Sequence, residues 1–345
     1  MKQLIVHVGL PKTATTTLQH HVFQELHEQG RLNFLGKAVS LEARGAAPKS
    51  SNYRGADIRR ACQETIPQDI SRRIDQMLVD DRLNVFSDEG ILTYYPGQEN
   101  VPLERRIANL KALLAPFDIK ILLTLRNPLD LFFSLYIQLY PECYRRLASL
   151  DSFEKCAADL LNKGVANIRY EFFDLERLLS LMVTRFDTTV LLYEDMTREP
   201  DRFAQALADL LGVEADYLVK QLSSHWVNRK PRSVGHVYSE EVTRLKTRLR
   251  RLERLVATIA PLHRFARKAY SKNVLGIRRI LEQPRRRGMK EHSQPDSQLK
   301  HRLQETLCIK DPRLFEAHGL DRRRLEAYGY LSREHQGATA PFSTE

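Results

Sequence analysis

Several features that define particular protein classes are absent from this 345-residue sequence. It contains no run of about 18 apolar residues, the minimum for a transmembrane helix, so no membrane span is predicted. Its four cysteines form no CxxC pair and have no clustered histidines beside them, which excludes a zinc ribbon and a disulfide framework. Such isolated thiols are typical of reduced cytosolic proteins. Because the first apolar strand follows Met1 almost at once, we expect no signal peptide and a cytoplasmic location.

Acidic residues are scarce between Arg244 and Lys290, where two stand against 16 lysines and arginines. The rest of the chain has 38 basic and 41 acidic residues, so the net charge of +11 belongs to this segment. Apolar residues recur in steps of four and three from Tyr238 to Ile259, and a second basic amphipathic stretch follows Pro261. This pattern predicts a basic helical hairpin.

Three interpretations of the hairpin stay open. Its apolar stripe can pack on the core, or on a second subunit in a homo-oligomer, with the charges in solvent. The basic surface can instead hold the protein on the anionic inner face of a membrane, at about 1 kcal/mol per basic residue. It can also form a groove for an acidic saccharide. Nucleic acid is the weakest candidate partner, because no element that reads bases is visible.

Strand-like and helix-like patterns alternate in the rest of the sequence. Apolar, β-rich runs occupy Leu4–Val8, Asn84–Ser87, Lys120–Leu125 and Thr188–Tyr193. This order predicts an α/β fold in which a central parallel sheet is flanked by helices and the ligand lies at the carboxyl ends of the strands.

Helical periodicity fills the intervals, for example over Thr16–Gln29, Asp69–Asp80 and Leu103–Leu114, whereas residues 36–55 are rich in loop formers. We predict three parts of the chain. They are an α/β core at 1–235, the basic hairpin insertion at 236–295, and a C-terminal helical segment with a tail at 296–345.

The first strand leads into a glycine turn, a lysine and a run of threonines, HVGLPKTATTTLQ, over residues 7–19. A strand, a glycine turn and a helix form an anion site, because the first helical N–H groups are unpaired and the helix dipole attracts negative charge. The stretch departs from the Walker A loop, since Ala14 replaces the second glycine and Thr15 replaces the lysine. A later strand ends in Arg126 and Asn127 instead of an aspartate for Mg²⁺. These departures favour a phosphate site without a metal.

These residues resemble the sulfotransferases that use 3′-phosphoadenosine 5′-phosphosulfate (PAPS). GLPKTATTTLQ resembles the family's 5′-phosphosulfate loop, in which glycine usually stands at the position of Ala14. LRNPLDLFFSLY is similar to the motif whose arginine and serine, here Arg126 and Ser134, hold the 3′-phosphate. LLYEDMTREPDRFAQALADLLGV (191–213) resembles a stretch that follows a core strand. The resemblance covers roughly 1–35, 84–140 and 188–235, and it implies the P-loop-like sulfotransferase fold and a bacterial, carbohydrate-type member.

The resemblance also implies which residues bind PAPS. The loop contacts would come from Gly9, Pro11, Lys12, Thr13, Ala14, Thr15, Thr16 and Thr17. Some of these threonines would only cap the helix, and an alanine at residue 14 would be strained if that position needs a positive φ. HWVNRKPRS (225–233) resembles the loop that closes over the nucleotide, which adds Arg229 and Lys230 unless the stretch is a basic surface turn.

The family's reaction is in-line transfer of a sulfuryl group to a hydroxyl or amine without a metal, so catalysis depends on positioning, charge and a base. Lys12 would neutralise the leaving phosphate. In carbohydrate sulfotransferases the base is a glutamate just past the second strand, which points to Glu89 in NVFSDEGIL. The alternatives are Asp88, a histidine, or a Glu89 that only caps the following helix. Gly90 departs from the family's lysine, and His7, inside the first strand, is expected to be a core histidine.

The sequence therefore predicts an enzyme that moves sulfate from PAPS to a hydroxyl of a glycan or glycolipid. The alternative enzyme is a nucleotide kinase or nucleotide triphosphatase of the same architecture. The alternative without turnover is a nucleotide-binding scaffold associated with the membrane.

Overall fold

Five parallel strands form the centre of the protein, whose computed structural model describes residues 2–36, 55–63, 69–97, 99–141, 143–224, 236–240 and 289–331. The strands are β1 (Gln3–His7), β2 (Leu32–Phe34), β3 (Leu83–Ser87), β4 (Asp118–Leu125) and β5 (Asp187–Leu192). Their order across the sheet is β2-β3-β1-β4-β5, and every neighbouring pair is parallel. The predicted α/β fold with a central parallel sheet is confirmed. Strand β2 has no counterpart among the predicted strands, because three residues are too few to show a period.

Helices cover both faces of the sheet. In chain order they are α1 (Thr15–Leu18), α2 (Gln24–Glu28), α3 (Ala56–Gln63), α4 (Ile70–Met77), α5 (Leu103–Leu114), α6 (Pro128–Leu139), α7 (Phe153–Lys163), α8 (Leu175–Val183), α9 (Tyr193–Arg198), α10 (Pro200–Leu211), α11 (Ala215–Ser224), α12 (Ser297–Leu307), α13 (Arg313–Glu316) and α14 (Arg322–Ala327). A π-helical turn, Gln19–Phe23, joins α1 to α2, so the helix predicted over Thr16–Gln29 is one continuous helical stretch. The helix predicted at Leu103–Leu114 has those bounds, and the one predicted at Asp69–Asp80 is shorter.

Strand β1 is buried on both faces, as expected at the centre of a parallel sheet. Leu4 and Val6 belong to one hydrophobic layer and Ile5 to the other. His7 lies on the side of Ile5, because side chains alternate along a strand. Its ring meets that of Phe23 edge-on, with 5.6 Å between centroids. The core therefore holds the last residue of β1 in place directly below the loop that follows it.

Two strands, β6 (His236–Glu240) and β7 (Met289–Ser293), lie near the two ends of the predicted hairpin insertion, 236–295. They are antiparallel, with Glu240 opposite Met289. The helical stripe predicted from Tyr238 is therefore wrong at its start, because Tyr238 lies in β6, where pairing with β7 satisfies the backbone hydrogen bonds. The rest of the predicted hairpin, 241–288, lies outside the described residues, as do most of the predicted loop at 36–55 and the tail from 332 onward.

The C-terminal segment adds to the core after β7. Helix α12 packs on α6 and α7, and Phe315, Tyr330 and Leu331 are fully buried. The Ile309 N–H donates to the carbonyl of Tyr330 at 2.8 Å, which ties the end of this segment to its beginning. The protein thus finishes its first hydrophobic layer with residues about 200 positions away from the strands that they cover.

Within the described ranges, no helix has both the length and the apolar character needed to cross a membrane. No disulfide joins the four cysteines, all of which lie in those ranges.

Candidate active site

The loop after β1, residues 9–14, contains two residues in the left-handed conformation. Lys12 has a φ of 68° and Ala14 a φ of 61°, which costs a residue with a side chain on the order of 1–2 kcal/mol. Gly9 is needed for a close approach, since a Cβ there would overlap the Thr124 hydroxyl and the His7 ring. Ala14 is also the N-cap of α1 and has no side chain that could bond the first N–H groups. The strained backbone therefore leaves the start of the helix available to an anion.

The threonines of this loop differ in what their side chains do. Thr13 is only 1% exposed, and its hydroxyl donates to the Leu10 carbonyl at 2.6 Å and bonds to the Thr124 hydroxyl at 2.7 Å. Its hydroxyl therefore holds the loop together and is not available to a ligand. The other predicted contacts divide into buried side chains (Thr15, Thr17) and partly exposed ones (Pro11, Lys12, Ala14, Thr16).

Arg126 follows β4 and reaches back to the same loop. Its Nη1 donates to the backbone carbonyl of Lys12 at 3.0 Å, and its guanidinium lies over the Tyr193 ring, 4.7 Å from the centroid. Across the described part of the chain, the buried Nε of this arginine meets no hydrogen-bond acceptor. A guanidinium that is fixed on two sides and has one N–H without an acceptor suits a phosphate. Ser134, about two turns along α6, is partly exposed.

Asn127 anchors this edge of the sheet in a way that the sequence did not reveal. Its side-chain oxygen caps α6, and its side-chain NH₂ donates to the carbonyls of Tyr328 and Gly329, each at 2.8 Å. Its backbone N–H donates to Glu194 at 2.9 Å, and the Tyr330 hydroxyl donates to the other oxygen of that carboxylate at 2.8 Å. The C-terminal segment thus fastens Asn127, the residue after Arg126, and Glu194, the acceptor of the Asn127 N–H. Nothing in the sequence signals a pairing across some 200 residues.

Glu194 is a buried carboxylate in this edge. Burial raises its pKa above the ordinary value, while the Asn127 N–H, the Tyr330 hydroxyl and the charge of Arg126 act in the opposite direction. The Asn127 N–H and the Tyr330 hydroxyl therefore hold this carboxyl group close enough to Arg126 for an electrostatic interaction. Tyr193 restricts the orientations that Arg126 can adopt.

Asp88 and Glu89 follow β3 and take different positions. Asp88 is buried, accepts a hydrogen bond from the Gly90 N–H at 2.8 Å and thereby caps the short 3₁₀ turn. It also forms an ion pair with Arg59 at 3.4 Å. Glu89 is partly exposed, and its Oε2 accepts from the Gln19 side chain at 3.4 Å. The capping role therefore belongs to Asp88, and Glu89 keeps a partly exposed carboxylate.

Gly90 makes room for a basic side chain from another helix. A Cβ at residue 90 would lie 2.8 Å from Cδ of Arg59, which extends from α3. A positive charge therefore lies beside the carboxylate of Asp88 even though residue 90 carries none. The sequence had no signal for this contact, because α3 was not predicted.

His7 is fully buried beneath the loop, as expected of a core histidine. Burial lowers its pKa to about 3, so the imidazole is neutral at physiological pH. It bonds to Ser87 at 2.8 Å and to Thr124 at 3.2 Å. His20 and His21, which follow in the π-helical turn, are also buried.

Two predicted contacts, Arg229 and Lys230, lie outside the described residues together with the rest of the loop 225–233. Among the residues that are described, no group of three or more His, Cys, Asp or Glu side chains could hold a metal ion.

Comparison with known proteins identifies the family of this chain. A sequence model of the sulfotransferase domain matches residues 2–251. The chain is also similar to two solved structures, each 16% identical to it. Mouse sulfotransferase SULT7A1 complexed with PAP aligns over 65% of this chain and 64% of that chain with a TM-score of 0.35, so this chain spans just under two thirds of its length. A sulfotransferase from Alicyclobacillus acidocaldarius aligns over 80% of this chain and 98% of that chain with a TM-score of 0.38. No protein with a curated description matches the sequence.

Proposed function

This chain belongs to the sulfotransferase family, and from that premise we propose that it transfers the sulfuryl group of PAPS to a hydroxyl of a glycan or glycolipid. The observation that carries the proposal is the hydrogen bond from Arg126 to the carbonyl of Lys12. It brings the two anion-binding motifs together at the carboxyl ends of β1 and β4, close enough for one nucleotide with two phosphate groups to span them.

The donor would lie with its 5′-phosphosulfate on the loop at residues 9–14 and its 3′-phosphate on Arg126 and Ser134. The open N–H groups of α1 and the ammonium of Lys12 suit the former. The guanidinium of Arg126, fixed by the Lys12 carbonyl and the Tyr193 ring, suits the latter. Neither site needs a metal, because both phosphates meet fixed positive charge or backbone dipoles.

In the reaction, the acceptor oxygen attacks sulfur while the bond from sulfur to the bridging phosphate oxygen breaks. Lys12 stabilises the charge that develops on that oxygen, and Glu89 takes the acceptor proton. The products are the sulfate ester and adenosine 3′,5′-bisphosphate (PAP). Glu89 is supported as the base by its partial exposure and by its place one residue beyond the Asp88 cap.

The charge of the basic segment 244–290 suggests that the enzyme encounters its acceptor at a membrane surface. We propose that this segment holds the enzyme on the cytoplasmic face of an anionic membrane, which suits a lipid-linked acceptor. The adjacency of Glu240 and Met289 supports an insertion that leaves and re-enters the core at one place. Flotation with anionic and neutral vesicles tests this, and equal recovery with both would contradict it.

Calorimetry with PAP and with ATP tests the nucleotide specificity directly. We expect PAP to bind at least about tenfold more tightly, because only PAP presents a phosphate to Arg126. Tighter binding of ATP would instead favour the nucleotide kinase or nucleotide triphosphatase. Conversion of labelled PAPS to PAP then separates an enzyme from a binding scaffold. Lys12→Met should lower the rate by about 10²–10³-fold, whereas Lys155→Met, at an exposed lysine, should leave it unchanged.

A further inference from the structure

A continuous chain of hydrogen bonds runs under the site, from the carboxylate of Glu89 to the loop at residues 9–14. It passes through one side chain each from the π-helical turn, β3, β1, β4 and the loop itself, namely Gln19, Ser87, His7, Thr124 and Thr13. Three of these side chains have no exposed surface at all, and the other two are at most 4% exposed. Water cannot substitute for any of their bonds, so each polar atom depends on its neighbour in the chain.

The donor and the acceptor of each hydrogen bond in this chain can be assigned by starting from Thr13, at the end that lies in the loop. The Thr13 hydroxyl has one proton and gives it to the Leu10 carbonyl at 2.6 Å. Its oxygen must therefore accept from Thr124, 2.7 Å away. The Thr124 hydroxyl has then used its own proton, so its oxygen accepts from His7 Nε2 at 3.2 Å. His7 must carry its proton on Nε2.

The remaining bonds are then determined as well. A neutral imidazole with a proton on Nε2 has an acceptor at Nδ1, so the Ser87 hydroxyl donates to it at 2.8 Å. The Ser87 oxygen in turn accepts from the Gln19 amide at 3.0 Å. The second hydrogen of that amide is directed to Glu89 Oε2 at 3.4 Å. Every donor in the series points away from Gln19.

We infer that His7, as its Nε2–H tautomer, is a positioning residue that couples the carboxylate side of the site to the Lys12 loop. Gln19 orients Glu89 with one hydrogen and starts the series with the other. The far end fixes the Thr13 hydroxyl, which closes the turn that contains Lys12 and Ala14. The interpretation rests on the proposed function for the roles of Glu89 and Lys12, but the order of the bonds does not.

The tautomer can be measured without any ligand, by ¹⁵N NMR of the full-length protein labelled at histidine. His7→Gln identifies the signal. We expect a protonated Nε2 and an unprotonated Nδ1 that do not change between pH 5.5 and 8. A proton on Nδ1, or a charged ring in that range, would overturn the inference.

Coupling to the loop is tested by substitutions that leave the loop itself intact. Ser87→Ala removes the donor to Nδ1 and contacts none of residues 9–14 in its hydrogen bonds. We expect it to shift the backbone amide signals of Thr13 and Ala14 and to weaken PAP binding by roughly three- to tenfold. Thr124→Val should do the same, and Thr124→Ser, which restores the hydroxyl, should return both readouts toward the wild type.

The outcomes distinguish this inference from the proposed function. If the backbone amide signals of Thr13 and Ala14 are unchanged in a folded Ser87→Ala variant, the coupling does not extend to the loop. If Ser87→Ala fails to fold, unchanged amide signals in Thr124→Val would overturn the inference instead. A lower melting temperature with unchanged amides and unchanged PAP affinity would mean a purely structural role. Wild-type protein that binds no PAP would contradict the proposed function, while the tautomer and the loop amides would still decide the inference.

Discussion

Arg126 Nη1 donates a hydrogen bond to the backbone carbonyl of Lys12 across 3.0 Å, so a residue at the end of β4 is fixed to the loop that follows β1. These residues are 114 positions apart in the chain. The contact exists because β1 and β4 are parallel neighbours, which end at the same edge of the sheet. The contact joins two motifs into one candidate site, and the predictions below test the parts of that site separately.

The first prediction concerns the phosphate that Arg126 is proposed to bind. Arg126→Gln should weaken PAP binding by about 10²-fold, since a charge-assisted pair of hydrogen bonds contributes about 3 kcal/mol. Calorimetry with adenosine 5′-monophosphate, which lacks the 3′-phosphate, should show a much smaller loss, due only to the missing hydrogen bond to the Lys12 carbonyl. Arg105→Ala, at an exposed position of α5, is the control. An equal loss for both nucleotides would place Arg126 somewhere other than at the 3′-phosphate.

The second prediction separates the two adjacent carboxylates. Glu89→Gln should lower turnover of PAPS by about 10²–10⁴-fold with little effect on stability, because it removes a proposed base at a partly exposed position. Asp88→Asn should lower the free energy of unfolding by about 1 kcal/mol through its capping bond and its ion pair with Arg59. Urea unfolding and initial rates measure the two effects. If Asp88→Asn were the variant that stops turnover, the base would have to be reassigned.

The third prediction uses the sign of φ at Ala14. Glycine tolerates a φ of 61°, so Ala14→Gly should raise the free energy of unfolding by about 0.5–1 kcal/mol. The same change inside α10, Ala206→Gly, should lower it by about 1 kcal/mol. Thermal unfolding of the two variants compares them directly. Two shifts of the same sign would mean that the backbone at Ala14 is not strained.

The fourth prediction concerns pH. Because burial lowers the pKa of His7 from 6.5 to about 3, the unfolded chain binds a proton between these values that the folded chain does not. The contribution of neutral His7 to the free energy of unfolding is therefore fully present above pH 6.5 and is lost as the pH falls toward 3. The loss is about 1.4 kcal/mol per pH unit once the histidine of the unfolded chain is protonated. His7→Gln cannot titrate, so its stability should fall less steeply than that of the wild type. Urea unfolding at pH 7, 6, 5.5 and 5 checks this, and parallel curves would count against a neutral buried imidazole.

The fifth prediction concerns the C-terminal segment. Tyr330→Phe removes the hydroxyl that bonds to Glu194 and leaves a buried carboxylate oxygen without that donor. We expect a loss of about 1–3 kcal/mol in the free energy of unfolding and weaker PAP binding, because Glu194 also holds the residue next to Arg126. Tyr95→Phe, at an exposed tyrosine, is the matched control. A loss of stability with full PAP affinity would mean that the segment supports the fold but not the site.

Much of the fold was predictable because its strands are long apolar runs and its helices are periodic. Strands β1, β3, β4 and β5 lie within two residues of their predicted bounds. The strands that were not predicted are either very short or depend on pairing with a distant strand. Strand β2 has three residues, and Tyr238 joins β6 only because β7 lies beside it. A helical period in the sequence cannot overrule a partner strand that is some 50 residues away.

What the sequence determined by itself was the residue pattern of the two proposed phosphate motifs and the class of sheet that presents them. The anion-binding tendency of these motifs depends on local sequence. It arises from a glycine turn, a lysine and an arginine at the ends of strands and the starts of helices. Only the tertiary structure decided which threonine turns inward, that Asp88 rather than Glu89 caps the turn, and that Arg59 lies where residue 90 has no side chain. It also joined Tyr330 to Glu194 and aligned His7 between Ser87 and Thr124. These relationships depend on the register of strands and on the space between distant side chains, and neither quantity is written in any local stretch of the chain.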